Sequence, residues 1–186
     1  MPSYDGLFHS TGSKQFPKSL ENRAKTAYKL VLNSMIIIMF VCHGNICRSP
    51  MAEMIFLDLL RKSGREKEIA VSSSATSSEE IWNGIGNPIY PPAKEELKRH
   101  GIPFTEHHAV QLTRADYEKY DLFIGMDSAN IRNMLRIFGA DPDGKVKKLM
   151  DYTARGGDVS DPWYSDRFDV AYADILEGCK ALLESL

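Results

Sequence analysis

Cysteine is scarce in this chain of 186 residues: Cys42, Cys47 and Cys179 are all it has. Three thiols, two of them in one short segment, do not make the disulfide framework of a small secreted domain. They suit a reducing, cytosolic setting, where a catalytic thiol stays usable. Long apolar runs are missing as well. The seven residues Met35 to Val41 fall far short of the roughly 20 that a bilayer crossing requires, so no membrane partner is expected. No continuous apolar core precedes Met35, so the pattern of a secretory signal is absent. Charge imbalance is lacking too: 23 Lys and Arg stand against 25 Asp and Glu, a formal net charge of −2. That balance gives no reason to expect a nucleic-acid partner. Internal repeats and low-complexity linkers are not found. What remains, 43% hydrophobic and 26% charged residues, suits one α/β domain with room for an appendage.

The most informative segment that is present is Val41-Cys42-His43-Gly44-Asn45-Ile46-Cys47-Arg48-Ser49-Pro50. A strand-like apolar stretch precedes it, and a helix-like stretch opens at Pro50. A Cys-x5-Arg loop between a strand and a helix N-terminus can close around a tetrahedral oxyanion. Its backbone N–H groups point inward and the helix end adds positive potential. Arg48 can grip two phosphate oxygens with its planar fork. Cys42 then sits beneath the phosphorus, in a field that favours the thiolate. The loop reads as nucleophile and phosphate cradle in one piece. Gly44 and Asn45 tolerate the unusual torsions that inward N–H groups require. Cys47 shares the turn with Cys42. Under oxidation the two can form a disulfide that protects Cys42; otherwise Cys47 is a packing residue. A zinc site of Cys42, His43 and Cys47 lacks a fourth ligand at standard spacing, so no metal is expected.

The loop resembles that of the low-molecular-weight protein tyrosine phosphatases, whose pattern is Cys-x-Gly-Asn-x-Cys-Arg-Ser-Pro. The family's Asp-Pro-aromatic loop near the C-terminus is matched by Asp161-Pro162-Trp163-Tyr164. The resemblance covers roughly residues 35–186. It implies a cytoplasmic hydrolase that takes phosphotyrosine proteins, releases inorganic phosphate and uses no cofactor. Cys42 is then the nucleophile, Arg48 the oxyanion grip and Asp161 the general acid. His43, Gly44, Asn45, Ile46, Cys47 and Ser49 complete the phosphate-binding loop. A leaving phenolate has a pKa of about 10, so its protonation by Asp161 helps. Asp161 would next deprotonate the attacking water. Asp158 and Asp166 are weaker rivals for the acid role. Trp82, Trp163 and Tyr164 are expected to wall the substrate cleft. Ser49 either donates a hydrogen bond to the Cys42 sulfur or caps the first helix. In the family, side-chain hydrogen bonds hold the Asn45 position, and His107 or His108 is expected to supply one. Asp127 is expected to cap a helix, with orientation of loop elements as the second reading.

Other readings use the same residues. A relative that acts on phosphoarginine carries Thr where this chain has Ile46. Ile46 offers no hydroxyl to a guanidinium, which favours phosphotyrosine over a protein-arginine phosphatase. A thioredoxin-coupled arsenate reductase needs two further cysteines, and only Cys179 remains. An oxyanion-binding redox sensor would not require Cys42, Arg48 and Asp161 to be intact together. His43 stands where vertebrate members usually have an apolar residue, a departure at the cleft edge that bears on selectivity.

Strand and helix patterns alternate from residue 35 onward. Strands are expected over 35–41, 69–73, 121–126 and 145–150. Helices are expected over 50–62, 91–100, 128–138 and 167–186, with a loop over 75–90 and an acid-bearing loop over 151–166. Such alternation implies right-handed crossovers and an α/β fold with a parallel sheet. The resemblance adds three layers and the order 2-1-3-4. Residues 1–34 carry five Lys and Arg against Asp5 and Glu21, with a candidate helix over 21–33. They are read either as an extension, disordered or docked on the 35–186 domain, or as residues upstream of a true start at Met35.

Overall fold

The computed structural model describes residues 35–186; the 1–34 extension and its candidate helix lie outside the described residues. Three consecutive isoleucines open β1 (Ile36–Cys42), and their branched side chains favour extended backbone. β1 pairs in parallel with β2 (Ile69–Ala75) on one side and β5 (Leu122–Gly125) on the other. β6 (Val146–Lys148) adds in parallel to β5. The resulting order, β2-β1-β5-β6, is the expected 2-1-3-4, because β3 (Ile81–Trp82) and β4 (Ile85–Gly86) form a separate antiparallel hairpin.

Side chains of the central strand alternate between two cores. Ile38 and Phe40 are fully buried in the core that includes residues of α1 (Arg48–Ser63), α2 (Pro91–Arg99) and α5 (Phe168–Ser185). Phe40 meets Phe56 of α1 edge-on, with ring centroids 5.5 Å apart. Met39 and Val41 point the other way, into a core with Phe123 and with Met134 and Phe138 of α3 (Ser128–Phe138). A sheet covered on both faces explains why β1 reads as a continuous apolar run rather than an alternating one. Among the described residues, no helix is long and apolar enough to cross a membrane.

Four local features differ from the sequence expectations. α1 starts at Arg48, not Pro50. First-turn N–H groups have no intrahelical partner, so Pro50 is tolerated as the third residue just as it would be at the first. The span 75–90 contains the hairpin rather than only loop: Asn83 and Gly84 both have positive φ, as a tight two-residue connection requires. β6 ends at Lys148 and passes into a 3₁₀ turn over Leu149–Tyr152. A short α4 (Pro162–Ser165) follows Asp161 inside the acid-bearing loop.

These elements converge on one edge of the sheet. The Cys42 loop follows β1, Asp127 follows β5, and the Asp161 loop lies beyond β6. Open α/β sheets place their ligand sites at such carboxyl ends.

Candidate active site

The loop from Cys42 to Arg48 is wrapped around the Cys42 sulfur. Asn45 N donates to Cys42 Sγ at 3.2 Å. Asn45 has φ of 57°, a left-handed conformation that Asn tolerates better than most residues. Gly44 does not share the positive φ of Asn45. A Cβ at this place would lie 2.9 Å from Glu80 Cγ, so a larger residue would have to displace that side chain at the rim. The N–H groups of Gly44, Ile46, Cys47 and Arg48 have no hydrogen-bond acceptor among the described residues. They sit at the N-terminus of α1, where the helix dipole favours an anion.

Behind the sulfur lies a buried polar chain with a fixed direction. The Asn45 amide uses both hydrogens, one on Ser49 Oγ and one on Ser73 Oγ, each at 2.9 Å. Its Oδ1 accepts from Val110 N at 3.0 Å. Ser73 Oγ in turn donates its hydrogen bond to Glu53 Oε2 at 2.6 Å. Ser49, having accepted from Asn45, keeps its hydrogen for Cys42 Sγ at 3.0 Å; the Ser74 carbonyl is farther, at 3.4 Å. Ser49 is therefore not the cap of α1. That place belongs to Cys47, which makes no capping bond through its side chain. His107 does not reach the Asn45 side chain, as expected of it or His108. It donates from Nε2 to the Asn45 carbonyl at 3.1 Å, while His108 Nδ1 contacts the Gly86 carbonyl. Burial raises the Glu53 carboxyl above its usual range, against the opposing pull of Ser73 and His107. Asn45→Ala strands Ser73, Ser49 and Val110 N together. It is expected to destabilise the fold by about 3 kcal/mol in chemical denaturation.

Arg48 is nearly enclosed, its side chain 4% exposed between two carboxylates. Nη1 donates to Asp127 Oδ2 and Nη2 to Asp161 Oδ2, both at 2.6 Å. Burial would lower the guanidinium pKa, but the Cys42 sulfur, Asp161 and Asp127 together raise it. Asp127 fulfils both readings made of it. Oδ1 accepts from Asn130 N to cap α3, and Oδ2 holds Arg48. Asp161 is divided in the same way, with Oδ1 accepting from Trp163 N at 3.0 Å and Oδ2 on Arg48. The rivals do not line the cavity. Asp158 accepts from Ser128 Oγ and pairs with Lys148, and Asp166 is the C-cap of α4.

A cavity of about 210 Å³ opens above the loop, lined by Cys42, Ile46, Arg48, Asp161, Trp163 and Tyr164, with His43, Glu79 and Glu80 at its rim. Trp163 is held by Tyr90, with ring centroids 5.6 Å apart. Trp82, expected in this wall, stands on the β3–β4 hairpin, 71% exposed, and is not among the residues lining the cavity. The residues missed from sequence are Glu53, Ser73, Glu79 and Glu80. Spacing carries no signal for the first two, which meet Asn45 through β2 and α1. His43 Nε2 lies 2.9 Å from Glu79 Oε2 and so belongs to the rim. Cys47 is buried and its thiol is pushed up to about 12, chiefly by burial and then by the Cys42 sulfur. Cys179 is fully buried on α5, outside the cavity lining. Among the described residues no group of three or more His, Cys, Asp or Glu is arranged to hold a metal ion.

Comparison with known proteins points the same way as this geometry. YfkJ of Bacillus subtilis, a low molecular weight protein-tyrosine-phosphatase, is 40% identical over 154 residues, spanning 82% of this chain and 96% of its own. Its crystal structure superposes with a TM-score of 0.77 over 82% of this chain and 94% of that one. The low molecular weight phosphotyrosine protein phosphatase of Schizosaccharomyces pombe is 36% identical over 156 residues, 81% of this chain and 97% of its own. Residues 37–186 match the family described as low molecular weight phosphotyrosine protein phosphatase, and the chain belongs to that family.

Proposed function

We propose that this protein hydrolyses phosphotyrosine in protein substrates through a cysteinyl-phosphate on Cys42, with Asp161 as acid and then base, in the cytoplasm. The observation that carries the reading is the convergence of Cys42, Arg48 and Asp161 on one cavity, from segments more than a hundred residues apart. A phosphate dianion entering the loop meets unengaged N–H groups and competes with Asp161 for Arg48 Nη2. The protonated form of Asp161 gives up that contact at little cost, and it is the form able to donate. The Cys42 thiolate then attacks phosphorus in line. The phosphorus–oxygen bond to the ring breaks, and the leaving phenolate takes the proton of Asp161. In the second step Asp161, now a carboxylate, accepts a proton from water as that water attacks the phosphocysteine. Inorganic phosphate leaves with the sulfur again a thiolate, and the Ser49 hydroxyl hydrogen-bonds that charge. No step calls for a cofactor.

Substrate choice follows from the cavity walls. Trp163 and Tyr164 suit a flat aryl group. Ile46 faces the cavity with no hydroxyl for a guanidinium, which favours phosphotyrosine over phosphoarginine. The experiment is steady-state turnover of a phosphotyrosine peptide beside a phosphoarginine peptide. Preference for phosphotyrosine supports the reading. Preference for phosphoarginine keeps the nucleophile and overturns the substrate.

Chemical labelling tests the two loop thiols separately. Iodoacetate at neutral pH is expected to alkylate Cys42 and leave Cys47 intact, because Cys47 with its pKa near 12 stays protonated there. Inorganic phosphate should slow the labelling by occupying the cradle. Peptide mapping by mass spectrometry reads both results.

A further inference from the structure

Asp161 is carried by a loop whose stem is fixed residue by residue. Asp158 Oδ1 accepts from Ser128 Oγ at 3.1 Å and lies 3.0 Å from Lys148 Nζ. Val159 N donates to the Met126 carbonyl at 2.9 Å. The next N–H, that of Ser160, has a different kind of partner: the carboxylate oxygen Oδ2 of Asp174, at 2.9 Å. Asp174 sits in the middle of α5, 7% exposed, where a carboxylate is costly unless paired and hydrogen-bonded. Its other oxygen takes Arg155 Nη2 at 2.5 Å, and Arg155 Nε reaches Glu177 at 3.0 Å. One carboxylate thus ties residue 155 and residue 160 of the same loop to the rigid helix behind them. Neither Asp174, Arg155 nor Ser160 lines the cavity.

We propose that Asp174 is the positioning residue of the general acid: its hydrogen bond to Ser160 N fixes the peptide from which Asp161 reaches the reacting oxygen. The proposal rests on the reading of Asp161 as the acid. A charge-assisted bond to a backbone N–H is stronger than a neutral one, and it acts one residue away from the group that moves the proton. A carboxylate at this place on α5 carries a desolvation cost that an apolar side chain would not. The loop needs an acceptor there. Without it the Ser160 peptide is free to turn, and a displacement of about 1 Å at a reacting group costs up to roughly 10²-fold.

Leaving-group dependence tests the idea and separates it from a purely structural role. p-Nitrophenolate departs readily without a proton, whereas phenolate, with a pKa of about 10, depends on the acid. The quantity to measure is the ratio of kcat/KM for p-nitrophenyl phosphate to that for phenyl phosphate, on variants confirmed as folded by circular dichroism. Asp174→Ala is expected to raise this ratio about 10-fold. Asp174→Asn, which keeps an acceptor for Ser160 N, is expected to leave it near the wild-type value. Arg155→Met, which removes the ion pair and spares the Ser160 bond, should do likewise. If Asp174→Ala alone does not fold, the double variant Arg155→Met, Asp174→Ala removes both charges together and carries the same expectation. An unchanged ratio in the Asp174→Ala variants, with a raised ratio in Asp161→Asn, overturns the role of Asp174 and leaves the acid in place. An unchanged ratio in Asp161→Asn overturns the reading of the acid, and the role of Asp174 falls with it.

Discussion

Cys42→Ser abolishes turnover of a phosphotyrosine peptide, with an expected fall in kcat of roughly 10⁴-fold or more, while the protein stays folded and still binds phosphate. The substitution changes one atom. Serine keeps a hydrogen-bonding group where Asn45 N and Ser49 Oγ now meet the sulfur, at 3.2 and 3.0 Å. It leaves the inward N–H groups and Arg48 untouched, so the cradle persists. What is lost is the sulfur nucleophile: a hydroxyl is a far weaker one, and among the described residues no base lies beside it to activate it. Glu53 is separated from the nucleophile by Ser73, Asn45 and Ser49, each with its hydrogens already assigned. Steady-state kinetics beside phosphate titration by calorimetry reads both halves of the expectation.

Arg48→Lys is expected to lower kcat/KM by about 10³-fold, for a geometric reason rather than for loss of charge. The guanidinium spans Asp127 and Asp161 with two separate nitrogens at 2.6 Å. A lysine ammonium carries its three donors on one nitrogen and lacks the planar fork that holds Asp127 with one nitrogen while the other is offered to the phosphate. Arg48→Met goes further. It leaves two carboxylates facing each other without their shared cation, and breaking a buried pair in this way costs about 3–5 kcal/mol. Arg48→Met should therefore lose both activity and stability. Adding Asp127→Asn to Arg48→Met should recover part of the stability and none of the activity. Thermal unfolding and turnover, measured on the three variants, separate the structural from the catalytic part of Arg48.

The contrast between these residues and their supports explains what was legible in the sequence. Cys42, Arg48 and Asp161 carry chemistry that few other residue types supply, and each sits in a short motif with proline or glycine beside it. The strand order followed from the family resemblance, and the α/β class from alternation alone. The polar chain behind the sulfur was not legible. Ser73 and Glu53 come together only because β2 lies beside β1 and α1 crosses over it, and no spacing in the chain encodes that. Trp82 is a candidate for the cleft by its aromatic character, and the structure leaves it 71% exposed outside the cavity lining. The start of α1 lies two residues before Pro50, because proline is tolerated throughout the first turn and does not by itself mark a helix's first residue.

The central claim is a covalent phosphoryl group on Cys42. Rapid acid quenching during turnover of a phosphotyrosine peptide, followed by peptide mapping, tests it most directly. The expected result is one phosphoryl group on the peptide containing Cys42, a burst of free tyrosyl product matching the enzyme concentration, and neither in the Cys42→Ser variant. Hydrolysis that proceeds with no phosphorylated Cys42, or that survives in Cys42→Ser, would contradict it.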